Sequence, residues 1–175
     1  WEYPLSVDNL GDYPDWLAGD GFLTLTLDGR VMTFDAATGQ RLWEKDVWPT
    51  DCTQFSDDRL VLAQVADEDL LLVAGVCDTD VVALRQSTGD QVWRKSIDFS
   101  GLGAIAVAND VAYFSGGISE LQARGLQDGA LLQGMQPDPA YLLGPLDLAV
   151  AEGRLLAAGS GNVIVIEQTP VHVGV

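Results

Sequence analysis

One pattern returns along this chain and constrains its fold more than any other feature. The segment Gly21-Phe22-Leu23-Thr24-Leu25-Thr26, followed by RVMTFDAATGQRLWEKDV, recurs as LLLVAGVCDTDVVALRQSTGDQVWRKSID. Thr38-Gly39 matches Thr88-Gly89 and Trp43 matches Trp93, an offset of 50 residues (93 less 43). A third copy, VAYFSGGISELQARGLQDGALLQGMQ, sets Asp128-Gly129 where the Thr-Gly pairs stand and Gln133 where the Trp stands. A fourth, RLLAAGSGNVIVIEQTP, keeps two strand-like runs and ends before any Thr-Gly turn. A repeat of this period implies one supersecondary unit that buries its faces only by stacking on its neighbours.

Each copy consists of short runs rich in Val, Leu, Phe and Thr, separated by Gly, Asp and Asn, as expected of short antiparallel strands. No segment reads as a helix. The expected strands are A near Trp16 to Ala18 and Ala104 to Val107, and B at Phe22 to Thr26, Leu70 to Val76, Val111 to Ser115 and Leu155 to Ala158. Strand C is expected at Val31 to Phe34, Val81 to Leu84 and Val163 to Ile166, and strand D at Arg41 to Lys45 and Gln91 to Lys95. The Thr-Gly pairs then fall in the C-to-D hairpin, where Gly takes a positive φ at no steric cost. The fold class is all-β, a β-propeller of four-stranded antiparallel blades with about four repeats, at roughly 14–47, 52–98, 102–136 and 145–175. A β-sandwich accounts for short strands but not for a turn and a Trp that return at one place in successive units.

Composition is that of a globular chain, 47% apolar and 20% charged. The apolar stretch LVLAQVADEDLLLVAGV is broken by Asp67, Glu68 and Asp69, so no run reaches the ~18 residues of a membrane span. A formal charge of −17 argues against nucleic acid and anionic bilayers, which are held mainly by Lys and Arg. The acidic surface is read first as a solvated coat, and second as a means of steering a basic partner. Cys52 and Cys77 fit either one disulfide in an exported protein or two buried thiols. The disulfide reading places the chain outside the cytoplasm.

The segment Thr33 to Trp43, T-F-D-A-A-T-G-Q-R-L-W, resembles the tryptophan-docking motif of the pyrroloquinoline-quinone (PQQ) repeat propellers, Ala-x-Asp-x-x-Thr-Gly-x-x-x-Trp. Thr33 replaces the first Ala. The second copy, Ala83 to Trp93, has Arg85 at the Asp position, and in the third only Ala123 and Gly129 survive. The resemblance implies that Trp43 and Trp93 dock on neighbouring blades while Asp35, Thr38 and Thr88 brace turns built on Gly39, Gly89 and Gly129. It also implies that Trp1 is the docking Trp of a strand D over residues 1–6. That strand either completes the fourth repeat beside Val163 to Ile166 or belongs to a larger propeller of which residues 1–175 are part.

PQQ-dependent dehydrogenases in this family resemble one another in having a longer chain, adjacent cysteines over the quinone and a carboxylate beside Ca²⁺. Here Cys52 and Cys77 stand far apart in sequence, so no cofactor is expected. His172 alone supplies no base for a Ser-His-Asp or Cys-His set, and the cysteines with one His make no zinc site. The carboxylate clusters Asp57-Asp58, Asp67-Glu68-Asp69 and Asp78-Thr79-Asp80 lack the spacing of a Ca²⁺ loop and read as solvated turns. Gly101 to Gly103, Ser115 to Gly117 and Gly159 to Gly161 precede no helix, so they do not cradle phosphate. The expected function is a non-enzymatic binding scaffold, as in family members that assemble outer-membrane barrels or sense signals outside the cell. Its partner is another protein, another copy or the rest of a larger propeller. The alternatives are a degenerate relative of a PQQ-dependent dehydrogenase and a structural subunit of a larger complex.

Overall fold

The computed structural model describes residues 2, 15–27, 29–47, 61–76, 80–97, 102–116, 120–135, 147–152, 154–159 and 162–167. Four antiparallel sheets follow one another along the chain. The first is β1 (Trp16–Gly19), β2 (Phe22–Leu27), β3 (Arg30–Asp35) and β4 (Arg41–Asp46). The second is β5 (Val61–Val65), β6 (Leu70–Val76), β7 (Asp80–Arg85) and β8 (Gln91–Ser96), with a short 3₁₀ turn at Ala66–Glu68. The third is β9 (Leu102–Ala108), β10 (Val111–Gly116), β11 (Glu120–Gly125) and β12 (Leu131–Met135). β13 (Asp147–Ala151), β14 (Arg154–Gly159) and β15 (Asn162–Glu167) form the fourth. Each sheet is a meander in which sequential strands pair, and no α-helix occurs among the described residues.

Strands β5, β11, β12 and β13 are additional to those read from the sequence. Composition hides β11 and β12. ELQARG and LLQGM carry Gln, Arg and Gly in place of β-branched residues, and it is pairing with β10 and β11 that holds them extended. The acidic triplet Asp67-Glu68-Asp69 forms the link between β5 and β6, where Asp69 takes a φ of +50°. The strand expected over residues 1–6, its pairing beside Val163 to Ile166, and both Cys52 and Cys77 lie outside the described residues.

The chain divides into two compact units, one comprising Trp1–Leu102 with Gln127–Gly129 and the other Gly103–Leu126 with Ala130–Val175. In the first, Leu70 to Ala74 of β6 and Val81 to Leu84 of β7 are all at most 1% exposed. Both faces of these central strands are covered, which is why they read as unbroken apolar runs rather than as alternating ones. Val31, Val47, Leu71, Val73, Val82 and Leu84 form one core cluster, with Leu17, Trp43 and Leu62 packed on it. In the second unit Ala106, Tyr113, Ala123 and Leu155 cluster with Val111, Leu148, Val150 and Ile166. Burial pushes the Tyr113 hydroxyl above the ordinary tyrosine range.

A line of polar side chains runs through the first unit's core. Thr24 and Thr33, directly opposite each other on β2 and β3, are fully buried and share a hydrogen bond of 2.9 Å. Gln86, 2% exposed, donates through Nε2 to Thr24 Oγ1 at 3.3 Å. Removing Thr24, the central member, takes this partner from both Thr33 and Gln86 in the desolvated core, which costs about 1–3 kcal/mol. Thr24→Val is therefore expected to lower unfolding free energy by roughly that amount. The triple change Thr24→Val, Thr33→Val, Gln86→Leu should recover most of the loss, because it leaves no orphan. Urea denaturation of both variants decides the matter; equal loss in both would mean the polar line contributes nothing beyond its volume.

Candidate functional site

Three hairpins, β3 to β4, β7 to β8 and β11 to β12, are closed by the same six-residue turn. In each, the first residue's N–H donates to the sixth residue's carbonyl: Asp35 to Gln40 at 2.9 Å, Arg85 to Asp90 at 2.8 Å and Gly125 to Ala130 at 2.9 Å. The fifth residue is Gly39, Gly89 or Gly129, with φ of +74°, +77° and +67°. A shift in pairing register stands at the same point before each turn, at Thr33/Phe34, Ala83/Leu84 and Ala123/Arg124. Such a bulge turns the strand so that six residues close the hairpin.

In the first turn, Thr38 donates to Asp35 Oδ1 through both its N–H and its Oγ1, each at 2.7 Å. The side-chain hydrogen bond from Thr38, then the backbone one, holds the Asp35 carboxyl below the ordinary aspartate range. In the second turn Arg85 replaces the Asp, and the bracing is rearranged. Thr88 Oγ1 donates to Asp90 Oδ2 at 2.8 Å, while Asp69 accepts from the Ser87 N–H at 2.8 Å and the Ser87 hydroxyl at 2.7 Å. Arg85 turns instead to the Glu68 carbonyl at 3.0 Å.

Trp43, on β4, lies against the second turn. Its Nε1 donates to the Gln86 carbonyl at 2.7 Å, and a Cβ built on Gly89 would stand 2.8 Å from ring atoms Cδ2 and Cε3. Trp93, on β8, is 6% exposed and repeats the arrangement on Gly129: a Cβ there would stand 2.8 Å from Cε3 and 2.9 Å from Cδ2. Thus the structure brings Trp43 to Gly89 and Trp93 to Gly129, and keeps Asp35, Thr38 and Gly39 within one turn.

Two lysines complete these contacts and were not singled out in the sequence. Lys45 donates through Nζ to the Gly89 carbonyl at 3.0 Å, and the Lys95 stem packs on the Gly129 turn. The signal was there: Trp-x-Lys occurs in both strong copies, at Trp43 to Lys45 and Trp93 to Lys95. Gln86 gave none, since its position holds Ala36 and Leu126 in the neighbouring copies.

Of the clustered carboxylates, Asp57, Asp58 and Asp78 lie outside the described residues, and three others are bonded within the protein. Asp69 holds Ser87, Glu68 accepts from Gln127 at 2.8 Å, and Asp80 pairs with Arg94 at 2.7 Å. Among the described residues no three potential metal ligands gather.

The sequence matches the family model of the outer membrane protein assembly factor BamB over residues 27–169. No curated protein sequence matches it. Among solved structures, BamB from Moraxella catarrhalis is 21% identical with a TM-score of 0.64, covering 86% of this chain and 41% of that one. The computationally designed Ika4 protein is 14% identical with a TM-score of 0.72, covering 93% and 95% respectively. A quinohemoprotein alcohol dehydrogenase from Comamonas testosteroni is 21% identical with a TM-score of 0.56, covering 73% and 22%. At these identities the likeness is one of fold, an all-β fold of propeller type. The chain spans about two fifths of the length of the BamB structure it matches.

Gly89 and Gly21 separate backbone strain from contact. Both have strongly positive φ, +77° and +81°, but a Cβ on Gly21 meets nothing within 4 Å. Gly21→Ala should cost about 1–2 kcal/mol for the left-handed backbone alone. Gly89→Ala adds the collision with Trp43 and should cost about 1–3 kcal/mol more. Thermal unfolding of the two variants measures the difference, and equal losses would exclude a tight Trp43 contact.

For Asp35, a lowered pKa in the folded state means that its bracing is present at neutral pH and is lost as pH falls through the lowered value. Thr38→Val removes the largest of the hydrogen-bond contributions that lower it. In an NMR titration the Asp35 carboxyl of that variant should have its midpoint moved up toward the ordinary aspartate range; an unmoved midpoint would refute the assignment.

Proposed function

This chain belongs to the family of the outer membrane protein assembly factor BamB, and on that premise we propose that it is a non-enzymatic β-propeller scaffold that binds another protein outside the cytoplasm. In this reading Trp43 and Trp93, with Lys45 and Lys95, dock one blade on the turn of the next. Asp35, Thr38 and Thr88 brace those turns, and Gly39, Gly89 and Gly129 provide the backbone that admits the tryptophans. Residues 1–175 are then a propeller domain or part of one.

The observation that carries this reading is that the motif side chains are committed to the frame itself. The indole N–H groups and carboxylates that would recommend a ligand pocket are bonded to turns of the same protein: Trp43 to Gln86, Asp35 to Thr38 and Asp69 to Ser87. What is left to act on a partner is the surface of the blades. A scaffold requires stiffness and exposed area, and a repeat whose interfaces are built twice on one pattern supplies both.

The test has two arms. Cross-linking in the source cell, followed by mass spectrometry, should recover one recurrent extracytoplasmic protein joined to the outer surface of the blades. Titration of the purified chain with pyrroloquinoline quinone and Ca²⁺ should leave its tryptophan fluorescence unchanged apart from inner-filter loss. Saturable quenching in the micromolar range, with no protein cross-link, would replace the scaffold with a cofactor-binding protein.

A further inference from the structure

The outermost strands of the first three sheets occupy equivalent places but differ in chemistry. β4 reads Arg41-Leu42-Trp43-Glu44-Lys45-Asp46 and β8 reads Gln91-Val92-Trp93-Arg94-Lys95-Ser96. Their charges are tied down: Glu44 pairs with Arg30 at 3.0 Å and with Arg41, Arg94 pairs with Asp80, and Lys45 holds the Gly89 turn. Charged side chains along a sheet edge deter the addition of another strand. β12, Leu131-Leu132-Gln133-Gly134-Met135, carries none.

β12 is also open. It ends the order β12-β11-β10-β9, so among the described residues no strand lies on its outer side. Leu131 is 56% exposed and Leu132 47%. Gly134 stands where β4 has Glu44 and β8 has Arg94, and nothing lies within 4 Å of the place its Cβ would take. A glycine in such a strand lets another backbone approach closely. An acidic residue, Asp128, stands three positions before the strand, in a chain whose formal charge is −17.

We propose that the β12 edge receives an extended segment of a partner protein, a short apolar strand flanked at both ends by Lys or Arg, which adds to the sheet by β-augmentation. The proposal rests on the scaffold reading and names the surface it uses. The uncharged edge takes the main-chain hydrogen bonds and apolar side chains of the incoming strand, and the acidic charge of the chain, Asp128 just before the strand included, matches its basic ends. A second copy of this chain is the poorer occupant, because each copy carries a charge of −17.

The experiment uses three labelled synthetic peptides: Lys-Lys-Val-Thr-Val-Thr-Val-Lys-Lys, the same peptide with both Thr replaced by Pro, and the same peptide with all four Lys replaced by Glu. Fluorescence anisotropy should show the first binding at least ~tenfold tighter than the others, since Pro removes ladder donors at unchanged charge. Binding should slow amide exchange within Leu131–Met135. The double variant Leu131→Arg, Gly134→Glu restores the charges of β4 at exposed positions. It should bind the first peptide no better than the proline peptide while keeping the wild-type melting temperature. Failure of the first peptide to bind, equal binding of the proline peptide, or protection elsewhere in the chain would overturn the proposal. So would a wild-type dimer in sedimentation that the double variant disperses, because the occupant would then be a second copy. Persistence of the in-cell cross-link in the double variant would sink the edge and leave the scaffold standing; peptide binding without any cross-linked partner would do the reverse.

Discussion

An indole ring that lies on a turn leaves room there for one residue type. The turn must pass into the left-handed region to close a six-residue hairpin, and it must present no Cβ to the ring. Glycine meets both demands, and at Gly89 and Gly129 it meets them together, with φ of +77° and +67° and ring atoms 2.8 Å from a would-be Cβ. The bulge before each turn, the hydrogen bond that closes it and the lysine two residues after each tryptophan all follow from holding that contact. The strands between are freer to vary, and do.

That freedom explains how much of the protein could be read from one sequence. The tryptophans and glycines repeat because a contact between neighbouring units fixes both partners at once, so Trp43 with Gly89 and Trp93 with Gly129 appear as a period. β2, β3, β6 and β7 are visible as apolar runs because both their faces are covered. β5 and β12 were harder to see, since an outer or inner strand is half exposed and its side chains follow local surroundings. Gln86 was illegible for a different reason. Its neighbours in the repeat are Ala36 and Leu126, and only the fold puts Thr24 within reach of its amide.

The second turn shows how a repeat tolerates the loss of a motif residue. Where Asp35 accepts two hydrogen bonds from Thr38, Arg85 cannot accept any. The acceptor is supplied from the link between β5 and β6 instead, by Asp69, which takes the N–H and hydroxyl of Ser87. The geometry of the turn is conserved between the two repeats while the identity of its brace is not. Sequence patterns record the brace, so they understate how alike the copies are in three dimensions.

A chain made of similar units must also distinguish them while it folds. Apolar faces of comparable size are interchangeable to a first approximation, and wrong neighbours are a characteristic hazard of repeat proteins. The buried line from Thr33 through Thr24 to Gln86 marks one pairing as different from the rest. A unit that presents Ala36 or Leu126 in place of Gln86 would leave Thr24 and Thr33 with each other alone. A unit that carries Gln86 against another apolar face would bury an amide with nothing to receive it, at about 1–3 kcal/mol. The glutamine thus acts as a key cut for a single lock, matching the second sheet to the first.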